Sequence, residues 1–211
     1  MKKAFVLALL AVSVSVMAQK VSPIDFQVPN PNLDSLKTMY QTEPSMYRAA
    51  LEKEEMKFAD VIKHIKATKE EMKTEQNIYM SMSTALKDAT KTTANLKKIY
   101  EKEAAELKTM QKSIEAQQVI LANNPNLNAE TRDSYSALLE TEQQDLGYAL
   151  REVNDRQMNI GELEIKLQNM QTRLLTYNAD LHRKGHLIKE MVTLCKERLA
   201  AVKAEKKNAK K

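Results

Sequence analysis

Between Pro44 and Pro125 the chain runs for 80 residues without a proline or a glycine. These two residues destabilise a helix interior most, by about 3 and 1 kcal/mol relative to alanine, so one unbroken helix is expected over residues 45–122. The break that follows, Asn123-Asn124-Pro125-Asn126-Leu127-Asn128, is dense in turn formers. It ends on an asparagine able to cap a second helix, expected over residues 129–207, with Glu130 in its first turn. Two arms of nearly equal length joined by a turn at 123–128 predict an all-α fold, a long two-helix antiparallel coiled-coil hairpin.

Periodicity supports the same fold independently. In the first arm every seventh residue from Leu51 to Leu121 is apolar except Thr93, and in the second arm every seventh residue from Leu139 to Val202 is apolar without exception. A seven-residue repeat held this long keeps one seam on a partner helix and imposes a left-handed supercoil. A second seam, three residues further on, is mixed: Val61, Met82, Ala89, Leu96 and Met110 in one arm, Ala149, Leu163, Met170, Tyr177 and Met191 in the other, with polar residues between them. With each first seam against the other arm's second seam and the loop at 122–127, paired residue numbers add to 249. That register sets Tyr100 opposite Ala149, Ala89 opposite Ile160, Leu86 opposite Leu163 and Arg156 opposite Thr93. Ser81, Ser83, Thr84, Thr90, Thr92 and Thr93 weaken the middle of the first arm, and Gly161 the second, which predicts either a hinge there or a polar layer that fixes register.

The N-terminus reads differently. Lys2 and Lys3 precede an apolar run from Ala4 to Val12 and a small-residue region ending Val16-Met17-Ala18. This is the pattern of a signal peptide over residues 1–18, cut before Gln19, and it implies a periplasmic or secreted protein. The run falls short of the roughly 20 apolar residues of a spanning helix. Residues 19–44 are expected to form an extended arm, where Ile24, Phe26 and Val28 alternate with polar residues, and a short helix capped by Asn32 with Leu33, Leu36 and Tyr40 on one face. The arm either lies on its own protein or adds a strand to a partner.

Near the open end, Leu187, Ile188, Met191, Val192, Leu194, Cys195 and Leu199 cover more of the second arm than a two-stranded seam uses. So broad a stripe must be covered, by the N-terminal helix, by a second copy, or by both. Charge is polarised too: residues 129–165 carry net −6 and residues 166–211 net +8. The candidate partner-binding residues are therefore Leu187, Met191, Leu194, Leu199, Lys203, Lys206 and Lys207, with a basic tail at 208–211. Protein partners or self-association are expected there, or contact with an anionic membrane surface that salt would weaken.

Other chemistries are poorly represented. Without the leader lysines the chain has 31 basic against 28 acidic side chains, and aromatic residues are not interleaved with the basic ones, so nucleic-acid binding is not expected. Cys195 is the single cysteine, either a small buried apolar residue or a residue that pairs between chains. His182, His186 and Glu190 share a helix face at spacings of four, but beside Arg183 and Lys184 they make a poor cation site. No phosphate loop, nucleophile elbow or zinc-protease motif occurs, and no cofactor, metal or small-molecule substrate is expected. The expectation is a non-enzymatic structural or adaptor component of a bacterial envelope assembly such as a secretion or conjugation apparatus. In size and class the chain resembles exported, all-helical minor-pilin-like subunits of type IV secretion systems. In its leader, basic pI and helical hairpin it is similar to periplasmic chaperones of the Skp/OmpH type, a resemblance that implies holdase activity. Met72, Met80, Met82 and Met170 are its candidate adaptable contacts. It departs from that family in offering no sequence for the small β-rich body through which those chaperones oligomerise.

Overall fold

The computed structural model describes residues 20–209, so residues 1–18, where a signal peptide is expected, lie outside the described residues. Three helices follow in order: α1 (Leu33–Lys37), α2 (Pro44–Asn123) and α3 (Ala129–Asn208). The two long helices are 80 residues each and pack against each other as a helical hairpin, with no strand among the described residues. Both are continuous through residues 81–95 and 154–168, so the serines, threonines and Gly161 leave the helical backbone uninterrupted.

The helix ends follow from capping chemistry. The Asn32 side chain accepts the Ser35 N–H at 3.0 Å, and Asn128 accepts the Thr131 N–H at 2.8 Å. In the loop the Asn126 N–H binds Asn124 Oδ1 at 3.1 Å, and Arg132 Nη2 binds the Asn124 carbonyl at 3.0 Å. Arg132 thus satisfies a carbonyl that the end of α2 would otherwise leave open.

The described residues form two compact units. In the loop-end unit, α2 and α3 are the elements that meet among the described residues, 84–171. Ile114, Leu139 and Leu146 are buried there, flanked by Leu107, Leu121 and Leu150. Thr93 is buried at 1% exposure with a hydroxyl that has no hydrogen-bond partner. The pairing differs from the register expected. Arg156 stacks over the Tyr100 ring at 5.7 Å and lies 3.8 Å from Glu103, and Lys97 pairs with Glu164 at 2.9 Å. Gln157 donates to the Tyr100 carbonyl at 3.2 Å and Gln118 to Gln143 at 3.0 Å. These residue numbers add to 256–261, not 249. The value that keeps first seam against second seam within this span is 256, one heptad higher. A seven-residue repeat defines register only to within multiples of seven, and the loop selects among them. The helices end at Asn123 and Ala129, later in the chain than the 122–127 turn assumed for 249. Side chains also lean toward the N-terminus of their own helix, which in an antiparallel pair raises the sum for every long contact.

The open-end unit comprises residues 20–83 and 172–209 and contains three layers of chain. Tyr47, Leu51, Phe58, Val61, Ile65, Ile188, Cys195 and Val202 form its buried core. Ile24, Phe26 and Val28 of the arm and Leu33 and Leu36 of α1 pack against that core. The broad apolar stripe of α3 is therefore covered in part from within the chain. The alternating residues of the arm lie on their own protein.

Candidate functional site

The open-end unit holds the candidate residues, and its geometry starts from how the arm is tied down. Ser22 N–H donates to Glu75 Oε1 at 2.8 Å, while Lys184 Nζ donates to Glu75 Oε2 at 2.9 Å. The Lys184 and Glu75 side chains are 4% and 10% exposed, so this ion pair is buried. Burial is the largest influence on the Glu75 carboxyl and raises its pKa, but the Ser22 N–H and Lys184 together outweigh it and hold the carboxyl below its usual value. Tyr177 is buried nearby; desolvation first, then the Glu75 charge, pushes its hydroxyl pKa up, and that hydroxyl has no hydrogen-bond partner.

Further ties complete the attachment. Arg198 Nη1 donates to the Val28 and Pro29 carbonyls at 3.2 and 3.0 Å, and Phe26 stacks on His64 at 5.4 Å. At the end of α3, Glu205 accepts from Tyr47 Oη at 3.1 Å and pairs with Lys37 of α1 at 3.1 Å. None of these ties was named as a site from the sequence. The signal that could have found the strongest one was present: Glu75 and Lys184 both occupy second-seam positions and carry opposite charge.

The sequence-derived candidates are divided by this geometry. Met191 and Leu199 are partly buried against the core, whereas Leu187 and Leu194 are 46% and 40% exposed. Lys206 pairs with Glu55 at 2.8 Å and Glu52 at 3.4 Å, while Lys203 and Lys207 are exposed. Lys210 and Lys211 of the basic tail lie outside the described residues. Cys195 sits in the core at 3% exposure, and burial raises its thiol pKa, so pairing with another chain requires the unit to open. His182, His186 and Glu190 are all exposed, and no group able to hold a metal occurs among the described residues. Of the four methionines singled out, Met82 and Met170 are buried in the seam, Met72 packs on the core and Met80 is exposed.

The two sides of the open-end seam are unlike. At 100° per residue, positions three after and one before a first-seam residue fall on one side of it, and positions one and four after fall on the other. The ties to the arm, Glu75, His64 and Arg198, belong to the first side. On the second side Ile62, Ile65, Val192, Cys195 and Leu199 line an apolar groove of about 230 Å³, with Lys66, Lys69 and Lys196 at its rim. No helix among the described residues is long and apolar enough to cross a membrane. Compared with protein families, with curated proteins and with solved structures, the chain finds no match.

Proposed function

We propose that this is an exported, non-enzymatic coiled-coil protein that serves as a structural or adaptor component of a bacterial envelope assembly, engaging its partner through the open end. One observation carries this reading: at that end the exposed Leu187 and Leu194 stand on the same helix as the exposed Lys203 and Lys207, beside an arm held by a buried ion pair. Exposed apolar residues and exposed cations at the same end of one helix, on a support made rigid by helix packing, suit recognition of another surface. Export follows from the leader pattern, and the absence of a spanning helix among the described residues is compatible with it.

The test is fractionation of the protein's own cells, followed by mild cross-linking and sizing of the complex. The protein beginning at Gln19, in an envelope complex that is lost in L187S/L194S, is the expected result. Uncleaved protein in the cytoplasm, or a complex indifferent to those substitutions, contradicts it.

A holdase role is the second reading, and it rests on exposed methionines: Met56, Met80, Met110 and Met158 are each more than half exposed. The purified protein then suppresses aggregation of an unfolded outer-membrane protein; no suppression at several-fold molar excess removes this role.

A further inference from the structure

We propose that the apolar groove between Ile62–Lys69 and Val192–Leu199 is a docking site for anionic membrane lipid, taking part of an acyl chain on its floor and the headgroup on its lysines. The floor is apolar, and the three lysines at its rim have no ion-pair partner among the described residues. At the positions that flank the groove the charge has one sign. At positions one and four after each first-seam residue, residues 59–76 and 182–203 supply Lys66, Lys69, Lys73, Lys189, Lys196 and Lys203 and no carboxylate. Of these, Lys73 pairs with Glu70. The nearest carboxylates at equivalent positions, Glu52 and Glu55, are both engaged by Lys206.

An anionic group and an apolar chain must therefore approach together within two helical turns, about 10 Å, which is the spacing found within one amphiphile. The floor is too small for more than a short length of chain, since about 230 Å³ is a volume of only a few side chains. Lysines that flank an apolar strip also form the face of a surface-seeking helix, whose long side chains reach the headgroups while the strip meets the acyl boundary. On the second-seam side the arm packs against the seam, and Glu71 and Glu75 stand at equivalent positions, so the charge there is mixed. This site deepens the envelope reading by naming a partner for the same end, and it rests on that reading only for the compartment in which lipid is met.

The experiment is co-flotation of the protein isolated from its own cells with vesicles of phosphatidylglycerol in phosphatidylcholine, against vesicles of phosphatidylcholine alone. Binding to the anionic vesicles only is expected. It should fall at least about tenfold in K66E/K69E/K196E, given the contribution of each lysine near an anionic surface. The control K87E/K91E/K98E makes the same charge change at exposed lysines of the loop-end unit and should keep most of the binding. V192S/L199S, with all lysines retained, should also weaken it, and circular dichroism verifies the fold of each variant. Equal loss in both lysine triples, or no preference for anionic vesicles, overturns the proposal. Intact vesicle binding with no envelope complex would remove the adaptor reading alone, and the reverse pattern would remove the lipid site alone.

Discussion

The loop-end and open-end units are built from the same two helices with the same seven-residue repeat, yet they solve the covering of their seams differently. Among the described residues the loop end is built from the two helices, and their cross-helix ion pairs stay wet: Arg156 and Glu103 are 31% and 41% exposed, Lys97 and Glu164 47% and 41%. At the open end the arm and α1 add a further layer, and the pair between Lys184 and Glu75 is sealed at 4% and 10%. A third layer of chain converts a surface ion pair into a buried one, and it turns one side of the hairpin into core while leaving the other side as a lysine-rimmed groove.

The sharpest way to break this comparison is to remove one partner of each pair. Lys184→Met leaves a buried carboxylate without its cation, held by Ser22, and should cost about 3 kcal/mol or more in chemical denaturation. Arg156→Met should cost under about 1 kcal/mol, because water already screens that charge. Replacing both buried partners, in E75L/K184M, should restore most of the loss, as apolar residues fill such sites without a desolvation penalty. Equal costs in the two units would mean that the arm does not seal its pair.

Acid provides a second contrast. The Glu75 carboxyl is held below its ordinary 4.5, so the stability it supplies is complete above that value and is lost as pH falls through its lowered folded value. Peptic cleavage beside Phe26 of the arm should accelerate on acidification through this range relative to cleavage beside Leu127 in the loop. In Glu75→Gln the arm should be cleaved readily at every pH.

Glycines sharpen the comparison at smaller cost. A methyl group on Gly147 or Gly161 meets nothing within 4 Å, whereas on Gly185 it stands 3.3 Å from Met72 Cε. Gly147→Ala should therefore raise stability by about 0.8 kcal/mol through helix propensity, and Gly185→Ala should gain less or lose stability because Met72 must move. An effect of similar size is expected at Thr93, whose buried hydroxyl has no partner. Thr93→Val keeps the shape, removes that unmet group and should stabilise by about 0.5–1 kcal/mol in thermal unfolding.

Much of the fold is legible in the sequence because long helices need only an absence of breakers and a persistent repeat. The register was legible only modulo seven, since apolar residues such as Leu86 and Leu96 satisfy several heptad alignments equally, and contacts such as Arg156 on Tyr100 follow from loop geometry. The arm was legible as an alternating segment whose resting place was open, because Ile24, Phe26 and Val28 do not specify which surface they meet. The tie at Glu75 was missed since a charged residue in a seam reads as an interruption until its opposite is placed against it. Leu187 and Leu194 are exposed on α3, while Met191 and Leu199 pack against the core.

The central claim is that the open end, rather than the loop end, meets the partner. It is tested most directly by photo-crosslinking in the protein's own cells from single positions on α3, Leu187 and Leu194 at one end against Leu138 and Tyr148 at the other, all exposed. The account predicts cross-links to a defined envelope component from 187 and 194, and little from 138 and 148. Cross-links from the loop end, or equal yields from all four, would contradict it.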